Sequence, residues 1–211
     1  VIIPGGVKKD FDNKLNSEIR TTLAVVRQAT NDLAAMFAEQ ANFQNRIRTT
    51  GKVRLKTAVD LAMVGVGARA SGFAHDSRKD FSFGVYPELD FELVTEKAGD
   101  VAARLAVRLR ELQQSFKLVA KLLDMLEREN NKELSIAIPK VSGEGFGISE
   151  SARGSNLHYA ALVDGKIDRI FVRSASYPNW PALPIAVQGD IIPDFPLINK
   201  SFELCYACID R

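Results

Sequence analysis

The chain has 211 residues and a mass of 23.2 kDa, the length of one domain or of one domain with an appendage. Its 46% hydrophobic and 26% charged residues exclude a disordered or fibrous chain, and 28 basic against 26 acidic residues leave a charge of only +2, which gives no ground for nucleic acid or an acidic membrane surface as a partner. No apolar run approaches the roughly eighteen residues of a membrane span, the opening VIIPGGVKKD is neither a signal nor a transit peptide, and two cysteines cannot make a disulfide framework. The first residue is Val rather than Met, so the chain reads as a fragment or as one piece of a split protein.

After the Pro4-Gly5-Gly6 turn, Leu15, Ile19, Leu23, Val26, Leu33 and Phe37 advance by steps of three, four and seven, which predicts one apolar stripe on a helix over 12–45. A shorter helical stretch follows at 55–66. The Gly65-Val66-Gly67 that closes it is not a dinucleotide fingerprint, because it lacks a preceding strand, a third glycine in register and a downstream acid. Gly67 and Gly72 instead read as places of close backbone approach or unusual dihedrals. A second long helix is expected over 100–129, with Leu105, Leu109, Leu112, Phe116, Val119, Leu123 and Leu126 as its stripe. Such regular spacing suits nearly antiparallel helices in a bundle, with Arg104, Arg108, Arg110 and Glu111 on solvated or interface faces.

After about residue 130 the pattern changes. Residues 134–138 read as a short strand ended by Pro139, and LHYAALVDGKIDRIFVR offers two β-rich runs about Asp164-Gly165, a hairpin signal. Five of the eight prolines follow residue 177, so the remainder reads as mostly irregular chain. The fold class is mainly α (α+β): a helical bundle over 1–130, then a small β-hairpin appendage and an extended C-terminal tail over 131–211.

The chemistry sits in that tail, which ends Cys205-Tyr206-Ala207-Cys208-Ile209-Asp210-Arg211. Two thiols separated by two residues can grip one metal ion. Structural zinc needs four ligands, and neither a second pair nor two neighbouring histidines is present. A thioredoxin-like pair belongs at a helix start after a strand, which this is not. The pair is therefore half of a soft-metal site or an incidental buried pair. His158 on the hairpin reads as a hydrogen-bonded structural residue or a proton relay. His75, Asp76, Arg78 and Asp80 form an ion-pair network or subunit contact, or else a proton path. Trp180 is a core or interface anchor, and Asp194 either caps a turn or lies near a metal.

Seven stretches in order, IPGGVKKD, RTTGKV, GARASGFAHDSRKD, DVAARLAVRLRELQQS, ESARGSNLHYAALVDGKI, VRSASYPNW and CYACIDR, resemble the large subunit of [NiFe] hydrogenases. The likeness is to the membrane-associated energy-converting group, which is related to the 49 kDa subunit of complex I, and it covers nearly the whole chain. The resemblance implies a nickel–iron centre with carbon monoxide and cyanide ligands, held by four thiolates. Cys205 would be a terminal nickel ligand and a proton acceptor, and Cys208 would bridge nickel to iron. Arg153 would lie over the open metal position and contact a cyanide, and Ser176 would donate a hydrogen bond to the other cyanide. The same resemblance makes Arg211 the end left by cleavage after metal insertion, unless the end falls there by chance.

The departures from the family pattern bear on the chemistry. Glu203-Leu204-Cys205 stands where the family writes Asp-Pro-Cys, so Glu203 keeps a carboxylate with one more methylene beside a proton-relay position. Ala152 replaces the proline usual before the arginine, and the N-terminal CxxC is absent from this chain. The resemblance thus implies part of a hydrogenase catalytic subunit that interconverts hydrogen with protons and electrons. The implied partners are an iron–sulfur small subunit, the N-terminal part of the large subunit and the membrane subunits of the complex. Its place would be cytoplasmic, peripheral on the inner face of the cell membrane. The competing expectation is a nickel-free, complex I-like connecting subunit that couples electron transfer to ion pumping or quinone reduction, and likeness to those relatives would make His75, Asp76, Arg78 and Asp80 part of the lining of a quinone cavity.

Overall fold

The computed structural model describes residues 2–128 and 133–209. Glu129, the domain boundary expected at 130–131, and Arg211 lie outside these described residues. A two-stranded hairpin, β1 (Ile2–Ile3) and β2 (Gly6–Val7), precedes the long helix α1 (Asn13–Glu39) and the short α2 (Ala41–Ile47). Asp12 starts α1 by accepting from the Leu15 amide at 2.7 Å. The helix expected over 12–45 breaks at Gln40, where the backbone turns extended. Phe37 and Phe43 stack across the break with centroids 4.7 Å apart, and Gln44 Nε2 donates to the Phe37 carbonyl.

The stretch expected as one helix over 55–66 is two, α3 (Leu55–Asp60) and α4 (Gly65–Ala70), parted by Ala62 at φ 49° and Gly65 at φ 65°. The single turn α5 (Ser77–Asp80) follows, and then α6 (Val101–Arg128). Buried Asp100 starts α6: one carboxylate oxygen accepts from the Ala103 amide and the other from the Thr49 amide, both at 2.8 Å. Contacts Asn16–Glu127, Arg20–Asp124 and Asn31–Gln113 run in opposite chain directions, so α1 and α6 pack antiparallel, as the stripes predict.

The stripes themselves are only half covered. Leu15, Val26 and Leu33 on α1, and Leu112 and Leu126 on α6, are exposed. The face of α6 that is buried carries Ala103, Val107, Phe116 and, against expectation, Arg104, which is 0% exposed. Periodicity alone assigns any arginine to the wet side; here its donors find acceptors inside. Nη1 reaches the Gly99 carbonyl at 2.8 Å, Nη2 the Gly51 carbonyl at 2.9 Å and Nε the Ser201 hydroxyl at 2.8 Å, while the guanidinium lies 4.0 Å from the Phe202 ring centroid. Burial, with the neighbouring Arg108 charge adding to it, pushes its pKa down to about 9, so it stays protonated at neutral pH.

The appendage is larger than a hairpin. A three-stranded antiparallel sheet places β4 (Gly154–Val163) between β3 (Gly143–Ser151) and β5 (Lys166–Arg173). Asp164 and Gly165 at φ 50° and 74° make the left-handed two-residue turn between β4 and β5. The strand that sequence reading missed, β3, alternates Gly143, Gly145 and Gly147 on one face, hiding the usual apolar signal. The strand expected at 134–138 is a single bridge, Ser135 to Gly6.

The segment expected as an extended tail is mostly folded, as α7 (Ser176–Asn179), α8 (Ala182–Ala186) and α9 (Phe195–Phe202). Its prolines lie within or beside these short helices: Pro178 inside α7, Pro184 inside α8 and Pro196 at the start of α9. The segment is not peripheral: Ala182, Leu183, Ile198 and Phe202 share one core with Ile47, Met63 and Val101. Among the described residues no helix is long and apolar enough to cross a membrane. Replacing Arg104 by Met should strip donors from two carbonyls and a hydroxyl and lower unfolding stability by about 3 kcal/mol. Urea denaturation checks this, and a loss under about 1 kcal/mol would show that the three acceptors find other partners.

Candidate functional site

The tail reaches its place through a reversal at Glu203, whose φ of 56° is left-handed and ends α9. Leu204 then enters the core and Cys205 meets α7: the Cys205 amide donates to the buried Ser176 hydroxyl at 3.0 Å. A single 3-10 turn, Tyr206–Cys208, carries the second thiol back, with the Cys208 amide 3.4 Å from the Cys205 carbonyl. That carbonyl also accepts from the Trp180 indole at 3.2 Å. Trp180, expected as a packing anchor, thus also orients the thiol loop, and its ring lies 4.9 Å from Tyr206.

Arg153 comes from the two-residue turn between β3 and β4, and its Nε donates to the Glu203 carbonyl. Gly65 holds that turn down. A Cβ there would lie 2.1 Å from the Arg153 carbonyl oxygen, so only glycine admits the approach. Four of the five residues singled out, Arg153, Ser176, Glu203 and Cys205, are therefore joined through direct hydrogen bonds or chain adjacency, and Cys208 is one turn away. The Ser176 oxygen accepts from Cys205 and keeps its own proton for another partner.

The electrostatics favour anionic sulfur. The Cys208 thiol and backbone hydrogen bonds hold the Cys205 thiol below its ordinary value; slight burial opposes them, and the Ala207 amide and the Arg153 charge add to the lowering. Glu203 is likewise held below the usual range by Lys200 at 3.0 Å, with Arg108 and Arg153 assisting against a small burial effect. As a donor set for the implied nickel–iron centre, the two thiols are half of four. Among the described residues no group of three or more Cys, His, Asp or Glu is placed to hold a metal ion. By themselves these residues do not fit that centre.

A second feature, which reading the stretches separately does not reveal, is a buried ionic cluster next to the thiol loop. Arg69, 1% exposed, joins Glu111 of α6 at 2.6 Å, Glu150 of β3 at 3.1 Å and Asp76 at 3.5 Å. Burial would lower its pKa, but the three carboxylates together raise it. Asp76 in turn binds Arg78 at 2.6 Å, and His75 Nδ1 contacts Asp80. The ion-pair network expected for 75–80 is present, extended by Arg69, Glu111 and Glu150. Of the four charges on α6 expected on solvated or interface faces, Arg110 is exposed, Arg108 and Glu111 are half-buried and Arg104 is buried. A cavity of about 380 Å³ opens on this cluster and on Glu203 and Arg108.

Beyond it lies an apolar cavity of about 300 Å³, lined by Met63, Phe73, His75, Phe81, Leu157 and Arg173 among others. The buried Arg173 Nε has no hydrogen-bond partner among the described residues. His158 sits exposed on β4, paired with Gly147 and Val172, and Asp194 binds Arg46 at 3.1 Å.

Residues 1–142 match the family described as respiratory-chain NADH dehydrogenase, 49 Kd subunit. The chain belongs to this family. It is 30% identical to NADH-quinone oxidoreductase subunit 4 of Thermus thermophilus, over 98% of this chain and 57% of that protein. It is 31% identical to the membrane-bound hydrogenase subunit alpha of Pyrococcus furiosus, over 98% of this chain and 52% of that one, and 32% identical to formate hydrogenlyase subunit 5 of Escherichia coli, over 98% and 36%. A solved membrane-bound sulfane sulfur reductase, an archaeal respiratory membrane complex, contains a chain that superposes with a TM-score of 0.90 at 30% identity, covering 99% of this chain and 59% of that one. The chain spans about half the length of most of these relatives. The family thus comprises oxidoreductase complex subunits, and its mainly helical fold with a small antiparallel sheet is the one seen here.

Two outcomes test the site. At neutral pH iodoacetamide should modify Cys205 faster than Cys208, and Arg153→Ala or Cys208→Ser should slow that reaction; peptide mass mapping reads both, and equal rates would contradict the assigned electrostatics. Burial opposes ionisation of Asp76, but Arg78 and Arg69 hold its carboxyl below the ordinary 3.8. Its contribution to stability is therefore complete above that value and is lost as pH falls through the lower folded value. Thermal midpoints below pH 4 should accordingly fall less steeply for Asp76→Asn than for the native chain.

Proposed function

We propose that this chain is the 49 kDa-type connecting subunit of an energy-converting oxidoreductase complex associated with a membrane, and that it works without nickel on a quinone-like acceptor. The observation that carries the reading is the apolar cavity whose walls include Arg173, with an Nε that has no hydrogen-bond partner among the described residues, and His75, backed by Asp80. Apolar walls suit a ring or isoprenoid body, the guanidinium suits a carbonyl oxygen, and a carboxylate-supported imidazole suits delivery of a proton to it. The names of several relatives, which are quinone oxidoreductase subunits, agree with this. The partners in this reading are membrane subunits and an iron–sulfur subunit that supplies electrons.

A second reading is favoured by a different observation, the convergence of Arg153 and Ser176 on the Cys205 loop. In it the chain is part of a [NiFe] hydrogenase catalytic subunit, and a second thiol pair is contributed from outside the described residues. When bound, such a centre supplies hydrogen activation. Cys205 and Cys208 would hold it, Ser176 would offer its hydroxyl proton, and the Arg153 guanidinium would supply fixed charge.

The test is made on the complex purified intact. The first reading expects no infrared bands from iron-bound carbon monoxide or cyanide, no stoichiometric nickel, and labelling of the 73–81 peptide by a photoreactive quinone. Such bands together with nickel would overturn it and establish the second reading.

A further inference from the structure

In a nickel-free subunit the cysteine pair has no metal centre to hold, and among the described residues no group of three or more Cys, His, Asp or Glu is placed to hold another ion. Nor do the sulfurs serve as packing, because both cysteines are free and part-exposed. What the loop does provide is two thiols held against each other. The Cys208 amide donates to the Cys205 carbonyl at 3.4 Å across the turn Tyr206–Cys208. The ends of such a turn stand within about 7 Å between their Cα atoms, the span that a disulfide closes. The Cys208 thiol also makes a hydrogen bond with Cys205. The frame is fixed around Cys205, whose amide donates to Ser176 and whose carbonyl accepts from Trp180. Joining sulfurs already in contact on an anchored turn asks little of the backbone.

Beside the pair stands a cation with donors to spare. Arg153 is exposed, and only its Nε is engaged, on the Glu203 carbonyl. The nearby Glu203 carboxylate pairs with Lys200 at 3.0 Å, so no carboxylate is in ion-pair contact with Arg153 among the described residues. Its two Nη groups form a fork that fits a carboxylate brought by a ligand.

We infer that Cys205 and Cys208 form a dithiol–disulfide centre that exchanges with small-molecule disulfides bearing carboxylates, which Arg153 binds. This rests on the nickel-free reading only for leaving both sulfurs unligated. In the first step one cysteine gives up its proton and its sulfur attacks the disulfide of the small molecule. The old S–S bond breaks, and one half leaves as a thiol carrying that proton. The second cysteine then attacks the bound sulfur of the first, breaks the mixed disulfide and expels the other half, again as a thiol. The chain loses two electrons and two protons, and the two released thiols carry them away. An excess of the same small thiol drives the sequence backwards.

Both cysteines fall in one tryptic peptide, 201–211, so a single mass reports the state of the pair. The complex is purified intact, its nickel content and infrared bands are recorded, and it is incubated with glutathione and glutathione disulfide in varied ratio. The sample is then quenched in acid and alkylated with N-ethylmaleimide. As the disulfide share rises, the peptide should pass from doubly alkylated to unalkylated and lighter by two hydrogens than the dithiol, with no more than a trace of glutathione adduct. Excess glutathione should restore both thiols. Cys205→Ser or Cys208→Ser should instead retain one glutathione per chain. The cationic disulfide cystamine should oxidise the native pair about fivefold more slowly than glutathione disulfide at low salt, each rate taken relative to dithiothreitol as the thiol. That gap should close at about 1 M salt in the native chain, and at low salt in Arg153→Gln. Thiols that persist at every ratio in a nickel-free sample, a native chain that accumulates the glutathione adduct, or a rate gap indifferent to both salt and Arg153→Gln would overturn the inference and leave the proposed function standing. Thiols protected in a sample that contains nickel and shows the infrared bands would overturn both.

Discussion

A guanidinium sealed from water with no carboxylate in ion-pair contact among the described residues must use its donors on neutral oxygens, and Arg104 does so at three places at once. Its acceptors are the Gly51 carbonyl before α3, the Gly99 carbonyl before α6 and the Ser201 hydroxyl on α9. Because unmet donors in the interior cost more than a typical hydrogen bond returns, these segments have little freedom to part. Gly99 tightens the arrangement further: a Cβ there would lie 1.9 Å from the Val53 carbonyl oxygen. The position of α9, and through Glu203 that of the thiol loop, follows from this junction.

Arg69 solves the same problem the opposite way. It surrounds itself with three carboxylates from three elements, and its charge is stabilised where that of Arg104 is disfavoured. A buried ionic cluster of this kind is weak evidence for stability, since desolvation opposes the Coulomb gain. What it does provide is registration: α4, α5, α6 and β3 can bring all these charges together in only one arrangement. Helix α6 carries Arg104 and also Glu111, the partner of Arg69, so its polar residues are as structural as its leucines.

The parts of the fold that were legible from sequence are those in which a single local rule decides the outcome. The two long helices and their antiparallel packing followed from spacing, and Asp164-Gly165 marked its turn. The break at Gln40 carries no proline or glycine, so nothing local announces it. Strand β3 was hidden by glycines at every second position of one face, and the tail read as irregular because prolines that sit inside or at the start of short helices look the same as prolines that break them. In the site, the motif positions Arg153, Ser176 and Cys205 do meet. Arg69, Arg104, Arg108 and Glu111 were unreadable because their burial depends on partners between 42 and 97 positions away.

The thiol loop is held by hydrogen bonds that span 29, 25 and 50 positions of sequence, to Ser176, Trp180 and Arg153. Closing such separations carries an entropic cost that nearby pairs do not bear, and they form only after the elements that present their partners have docked. The loop is therefore among the last parts of the chain to acquire a fixed shape during folding. Until α4, the β3–β4 turn and α7 are in place, the two sulfurs sit on chain that these hydrogen bonds do not yet tether. Completion of the fold fixes their spacing while leaving both thiols part-exposed, so the order of assembly decides when the cysteine pair takes its final geometry.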